Sequence, residues 1–159
     1  MRKFQDRNSG LLNKLYKRET FMKRYIDDIS VNTIVGEGSF VAGNVNSVGF
    51  TKIDGDVKGN IVSKGRVTIS QNARVKGNVR GTAVIVGGIV NGDIIAPESV
   101  HLSSTAVVLG TIVTKHLIME EGVLFSGFCY AVNNAAGFED AESSYKNKRV
   151  VESAASRYR

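Results

Sequence analysis

Residues 54–61 read Asp54-Gly55-Asp56-Val57-Lys58-Gly59-Asn60-Ile61, and the stretch from Ala73 to Gly81 repeats that order of apolar, glycine and polar positions. Within the echo, Val75, Gly77, Val79 and Gly81 share one parity while Arg74, Lys76, Asn78 and Arg80 share the other. That is the two-residue period of a strand with one buried and one wet face. Working outward in both directions, a glycine followed two places on by Val, Ile or Cys returns at Gly43, Gly59, Gly77, Gly92, Gly110 and Gly127, spaced 16, 18, 15, 18 and 17 residues apart. A second column runs Phe40, Val57, Val75, Val90, Val108, Phe125, and a third runs Phe50, Val67, Val84, Val100, Leu117. Four of the five members of the third column are followed two places on by a further apolar residue, in Val67/Ile69, Val84/Val86, Val100/Leu102 and Leu117/Met119.

A repeat of this length denotes a stack of supersecondary units, here coils of three short strands each. One coil cannot bury its inner face alone, whereas stacked coils set Val on Val and Ile on Ile with backbones about 4.8 Å apart. About six coils make a prism roughly 29 Å long. Glycine at the corners permits bends that β-branched residues resist. A helical reading fails because apolar residues do not recur at three and four. A β-sandwich predicts irregular spacing and hairpin dipeptides; the one Asn-Gly, at Asn91-Gly92, falls on the repeat register as a corner. The expected fold is an all-β, single-stranded β-helix of about six three-strand coils over residues 33–130, flanked by flexible tails at 1–32 and 131–159.

The composition, 42% hydrophobic with 17 glycines, one proline and no tryptophan, suits one domain with tails. No apolar run approaches the roughly 20 residues that span a bilayer, and the basic N-terminus lacks a secretory apolar core; the expectation is a cytoplasmic protein. The lone Cys129 excludes an internal disulfide and a multi-thiolate metal site; it closes the glycine-led column and is expected to be a small buried hydrophobe. The net charge of +6 is concentrated in residues 1–35, with eight Lys or Arg against four acids, whereas residues 36–128 hold eight against seven. A nearly neutral centre with few aromatic rings does not provide the continuous cationic stripe and stacking platform that nucleic acid requires.

The ordered succession of Asp54 to Ile61, its echo, Gly92-Asp93-Ile94 and the closing Glu121-Gly122-Val123-Leu124-Phe125-Ser126-Gly127 resembles the bactofilins, bacterial polymer-forming cytoskeletal proteins. The resemblance covers about residues 30–130. It implies a right-handed β-helix of triangular section, nucleotide-independent end-to-end polymerisation into filaments without overall polarity, and association with the inner face of the membrane or with cell-wall and cell-shape machinery. Handedness is implied by the resemblance alone.

Each end of a solenoid exposes unpaired backbone groups and core side chains, a template for another stack. The last coil presents Phe125, Phe128 and Tyr130, and the first presents Phe40 and Val41, as polymerisation-interface candidates. Phe125 sits in the inward column and reads as core; Phe128 falls on the alternate parity and is the better interface candidate. The resemblance implies that aromatic residues near the C-terminal end act in polymerisation. In the arm, Leu11, Leu12, Leu15, Met22 and Ile26 gather near one helical face with Lys14, Lys17, Arg18, Lys23 and Arg24 around it, the pattern of a membrane-surface helix, a coil cap or a solubilising tail. Lys58 and Lys76 share a register one coil apart, with Arg74 and Arg80 nearby, a basic surface for an acidic polymer or for aligning neighbouring filaments. The tail from Asn133 shows no sustained period and reads as disordered or weakly helical.

The enzymatic alternative is the left-handed β-helix trimer of hexapeptide acyltransferases and carbonic anhydrases. The zinc site of the latter takes three histidines, and this chain has only His101 and His116, on opposite sides of Val100 and Leu117. No phosphate-cradling Gly-x-x-x-x-Gly-Lys-Ser/Thr run is present. No catalytic, cofactor-binding or metal residue is assigned, no cofactor is expected, and the chain is read as a structural protein whose first partner is itself.

Overall fold

Backbone pairing in the computed structural model, which describes residues 31–156, is parallel throughout the strands. Sixteen strands, β1 (Val31–Val35), β2 (Phe40–Ala42), β3 (Val45–Ser47), β4 (Phe50–Ile53), β5 (Asp56–Lys58), β6 (Ile61–Ser63), β7 (Val67–Ile69), β8 (Arg74–Lys76), β9 (Val79–Arg80), β10 (Ala83–Val86), β11 (Ile89–Asn91), β12 (Ile94–Leu102), β13 (Val107–Leu109), β14 (Ile112–Met119), β15 (Leu124–Ser126) and β16 (Cys129–Ala131), are followed by a helix, α1 (Ala135–Ser156). They wind into a β-solenoid of six coils with three faces. Face A stacks β2, β5, β8, β11, β13 and β15. Face B stacks β3, β6, β9, β16 and the first halves of β12 and β14; face C stacks β1, β4, β7, β10 and the second halves of those two long strands.

Three inward columns form the core. Ile61, Val79, Ile94 and Ile112 line face B, Val57, Val75, Val90 and Val108 line face A, and Val67, Val84 and Val100 line face C, all essentially sealed from solvent. Ile53, Ile69, Val86 and Leu102 continue face C. Each such side chain contributes about 1.5–3 kcal/mol on burial. The glycine column turns face A into face B. Gly59, Gly77, Gly92, Gly110 and Gly127 have φ between 150° and 157°, and a Cβ on any of them would lie 1.8–2.2 Å from the carbonyl oxygen of the glycine one coil earlier. Coils stack at this corner only because that atom is missing.

Beside the glycines runs a polar ladder. Asn44 Oδ1 accepts from the Asn60 N–H at 3.0 Å, Asn60 Oδ1 from Asn78 at 2.9 Å, Asn78 Oδ1 from Asp93 at 2.9 Å, and Asp93 Oδ1 from Thr111 at 2.7 Å. Each rung satisfies a backbone donor that the bend removes from the sheet.

Two expected columns start one residue out of phase. Phe40 pairs with Asp56 and is 66% exposed, while Val41 pairs with Val57 and points inward. Likewise Thr51, not Phe50, pairs with Val67, and Thr51 is fully buried. A hydroxyl is tolerated there because Thr51 Oγ1 shares a hydrogen bond with Ser47 Oγ across the corner. Cys129 also departs from expectation: it stands on Ile112 in the core column but is exposed, because no described strand stacks beyond it.

The tail, read from sequence as disordered or weakly helical, forms the 22-residue helix α1. Asn134 caps it, Oδ1 accepting the Gly137 N–H at 2.6 Å. Phe138, Ala141 and Tyr145, spaced three and four, bury against Ile95, Val113, Tyr130 and Val132. Ile95, Val113 and Tyr130 form the outward column of face B in the last three coils, so the helix has an apolar strip to lie on. The signal was present in the doublets Ile94-Ile95 and Ile112-Val113, where both parities are apolar and both sides of the strand are therefore covered. The arm candidates Leu11 to Ile26, and the rest of residues 1–30, lie outside the described residues.

Candidate functional site at the open ends

At the last coil, β15 and β16 pair on one edge only, with β13 and β14. At the first, β2 and β3 pair among the described residues only with β5 and β6. Core columns that are sealed in the middle coils open toward both edges: Val41 and Val45 at one end, and Leu117, Val123 and Phe125 at the other, pack against the core yet are only half-buried. Partial burial pushes the Cys129 thiol above its usual pKa. Such an edge offers backbone donors, acceptors and apolar side chains at once.

The interface candidates do not all reach these edges. Phe125 is inward, in line with Val108. Phe128 follows the corner glycine and holds the terminal rung, the position of Asn44 and Asn60 in earlier coils; it is 59% exposed, and Lys148 Nζ lies 3.7 Å above its ring centroid. Tyr130 pairs with Val113 on the outward side of face B, and its ring is packed beneath α1. Val41 is inward at the first coil, and Phe40 is outward on face A beside it.

Of the basic residues, Lys58 and Lys76 are adjacent on face A, and Arg74 faces Asp56 across the same two coils. Arg80 belongs elsewhere: it lies on face B and pairs with Glu142 of α1 at 2.8 Å, with Lys146 on the same carboxylate at 3.1 Å. Burial would raise the Glu142 pKa, but Lys146 and Arg80 more than offset it and hold it below the usual carboxylate value.

Sequence reasoning missed the anchor of α1. Tyr145 Oη donates to Asp93 Oδ2 at 2.5 Å, and the Arg149 guanidinium donates to the same oxygen. Burial acts to raise the Asp93 pKa; hydrogen bonds from Tyr145, the Thr111 N–H and Arg149 outweigh it and bring it below its usual value. Burial and the neighbouring carboxylate push Tyr145 up to about 12. A signal existed: the ladder rung is Asn in the first three coils and Asp only at 93, where the helix docks.

A family model for bactofilins, described as polymer-forming cytoskeletal, matches residues 33–130. The chain belongs to the bactofilin family. A solved bactofilin from Thermus thermophilus, reconstructed by cryo-EM as double helical filaments, is 31% identical to this bactofilin, with a TM-score of 0.60 over 62% of this chain and 98% of that one. No curated protein matches it. Family and fold make this bactofilin a polymer-forming cytoskeletal protein of a structural family. Its two histidines are split as expected: His116 pairs with Ser99, His101 pairs with Ile118, and His101 Nε2 lies 3.0 Å from Glu120 Oε1. No described helix of this bactofilin is long and apolar enough to cross a membrane.

Proposed function

We propose that this bactofilin polymerises end to end without nucleotide, through the first and last coils, and that the filament scaffolds cell-shape, cell-wall or membrane-associated machinery. The observation that carries this reading is the pair of core ends that no described residue covers, with Val41 and Val45 at one and Leu117, Phe125 and Cys129 at the other. Stacking a further coil there continues three parallel ladders and buries those side chains. When like ends meet, the contact is two-fold and the filament lacks polarity. The absence of a phosphate-cradling motif from the sequence supports nucleotide independence. The Thermus relative's double helical filaments support lateral pairing as a second level of assembly. The arm residues Leu11 to Ile26 are proposed to add contact with the membrane's inner face.

Negative-stain electron microscopy of nucleotide-free protein tests the reading, comparing the unaltered chain with Phe125→Arg and Phe128→Arg while circular dichroism reports the β signal. Filaments from the unaltered chain, lost in Phe125→Arg with folding retained, are expected. Discrete trimers and no filaments at any salt concentration sink it.

A further inference from the structure

Face A is one of the two sides of the solenoid that α1 leaves uncovered, and its outward residues are sorted along the axis. In the second and third coils they are Asp56, Lys58, Arg74 and Lys76, three cations to one carboxylate. In the last three coils Ile89, Val107, Leu109 and Leu124 face outward, with Leu124 65% exposed. No acid occupies a face-A strand in those coils. Lys58 and Lys76 are direct cross-coil neighbours, an arrangement that is unfavourable within one sheet. Neither lysine has an ion-pair partner among the described residues. The other faces differ. Face B carries α1 over its last coils, and beside face C Lys52 pairs with Asp54 at 3.1 Å.

We propose that face A is a contact surface for an anionic lipid bilayer, its lysines meeting headgroups while Ile89, Leu109 and Leu124 enter the interfacial layer. Two features decide for lipid over a second copy of the chain. Pairing face A with itself brings three cations and one acid against the same set, a net repulsion, whereas an anionic surface relieves the Lys58–Lys76 contact and accepts the apolar coils. A flat prism face also meets a flat bilayer along its whole length. This surface is separate from the arm; its multiplication along a filament rests on the polymerisation reading, but single-subunit contact does not.

The test is co-flotation of the full chain with vesicles of phosphatidylcholine alone and of phosphatidylcholine mixed equally with phosphatidylglycerol. It is run also in a Lys14→Gln, Lys17→Gln, Lys23→Gln background that weakens the arm, with filaments scored by microscopy from the same tubes. Lys58→Gln with Lys76→Gln is expected to weaken binding to the anionic vesicles about thirtyfold. Leu109→Asn with Leu124→Asn weakens it as well, with folding intact by circular dichroism, while Lys52→Gln on face C leaves it unchanged. Equal binding of the face-A variants and the parent in both backgrounds overturns the proposal, as does failure of the parent to bind the anionic vesicles. Loss of lateral filament pairing with unchanged lipid binding overturns it too and assigns face A to a second copy. Filament scoring separates each of these from a failure to polymerise.

Discussion

Asp93 and Tyr145 lie 52 residues apart in the chain and meet at 2.5 Å, the tyrosine hydroxyl donating to the carboxylate. Asp93 thereby serves two structures: Oδ1 holds the next coil's backbone through Thr111, and Oδ2 holds α1 through Tyr145 and Arg149.

That division of labour separates two substitutions. Asp93→Asn keeps the ladder acceptor, as Asn78 does one coil earlier, but removes the charge that Arg149 meets. We expect an unchanged β signal, faster tryptic cleavage at Lys146 to Arg149, and a loss of about 1 kcal/mol, since half-exposed ion pairs are screened. Asp93→Ala also strips the Thr111 N–H of its partner and should cost about 1–3 kcal/mol more by thermal denaturation.

The helix should come off at both extremes of pH. Asp93 and Glu142 have folded pKa values below their usual values of 3.8 and 4.5. The unfolded state therefore binds more protons near those values, and the stabilisation, present above them, is lost as pH falls through the lower folded values. Tyr145 has the opposite sign, raised from 10.0 to about 12, so its contribution is intact below 10.0 and lost as pH rises toward 12. Helical signal and proteolysis followed across pH should show a plateau between these limits.

Glycine at the corner should matter by position in the stack. Gly77→Ala places a methyl 2.2 Å from the Gly59 carbonyl oxygen and must force coils apart. Gly43→Ala, in the first coil, meets nothing within 4 Å and carries only the strain of φ +128°, about 1–3 kcal/mol. Thermal melts should show a modest loss for Gly43→Ala and a far larger one, or no folded protein, for Gly77→Ala.

Cys129 reports directly on the last-coil end. It is exposed where a further coil would cover it, so maleimide labelling should be complete in dispersed protein and largely blocked in filaments. Equal labelling in both states removes the last coil from the junction.

Most of the solenoid was legible because its determinants are local. Strand parity, glycine at the bend and a near-constant period are written within each coil, and Val57, Val75, Val90 and Val108 stack as their spacing requires. The first coil was harder. Phe40-Val41 and Phe50-Thr51 each offer a strand-compatible side chain on either parity, and only pairing with Val57 and Val67 decided which residue points inward.

The candidate ends were legible in part, through Phe125 and Val41, whereas the fates of Tyr130 and Arg80 depended on a helix whose own sequence is weakly patterned. The sequence by itself determined a stack of coils, its corners and which residues make its first and last coils, since those follow from residues a few places apart. Only the tertiary structure decided which outward positions are covered. α1 is held by an apolar strip drawn from three successive coils and by one carboxylate, and residues so far apart in the chain become a single binding surface only once the coils have stacked.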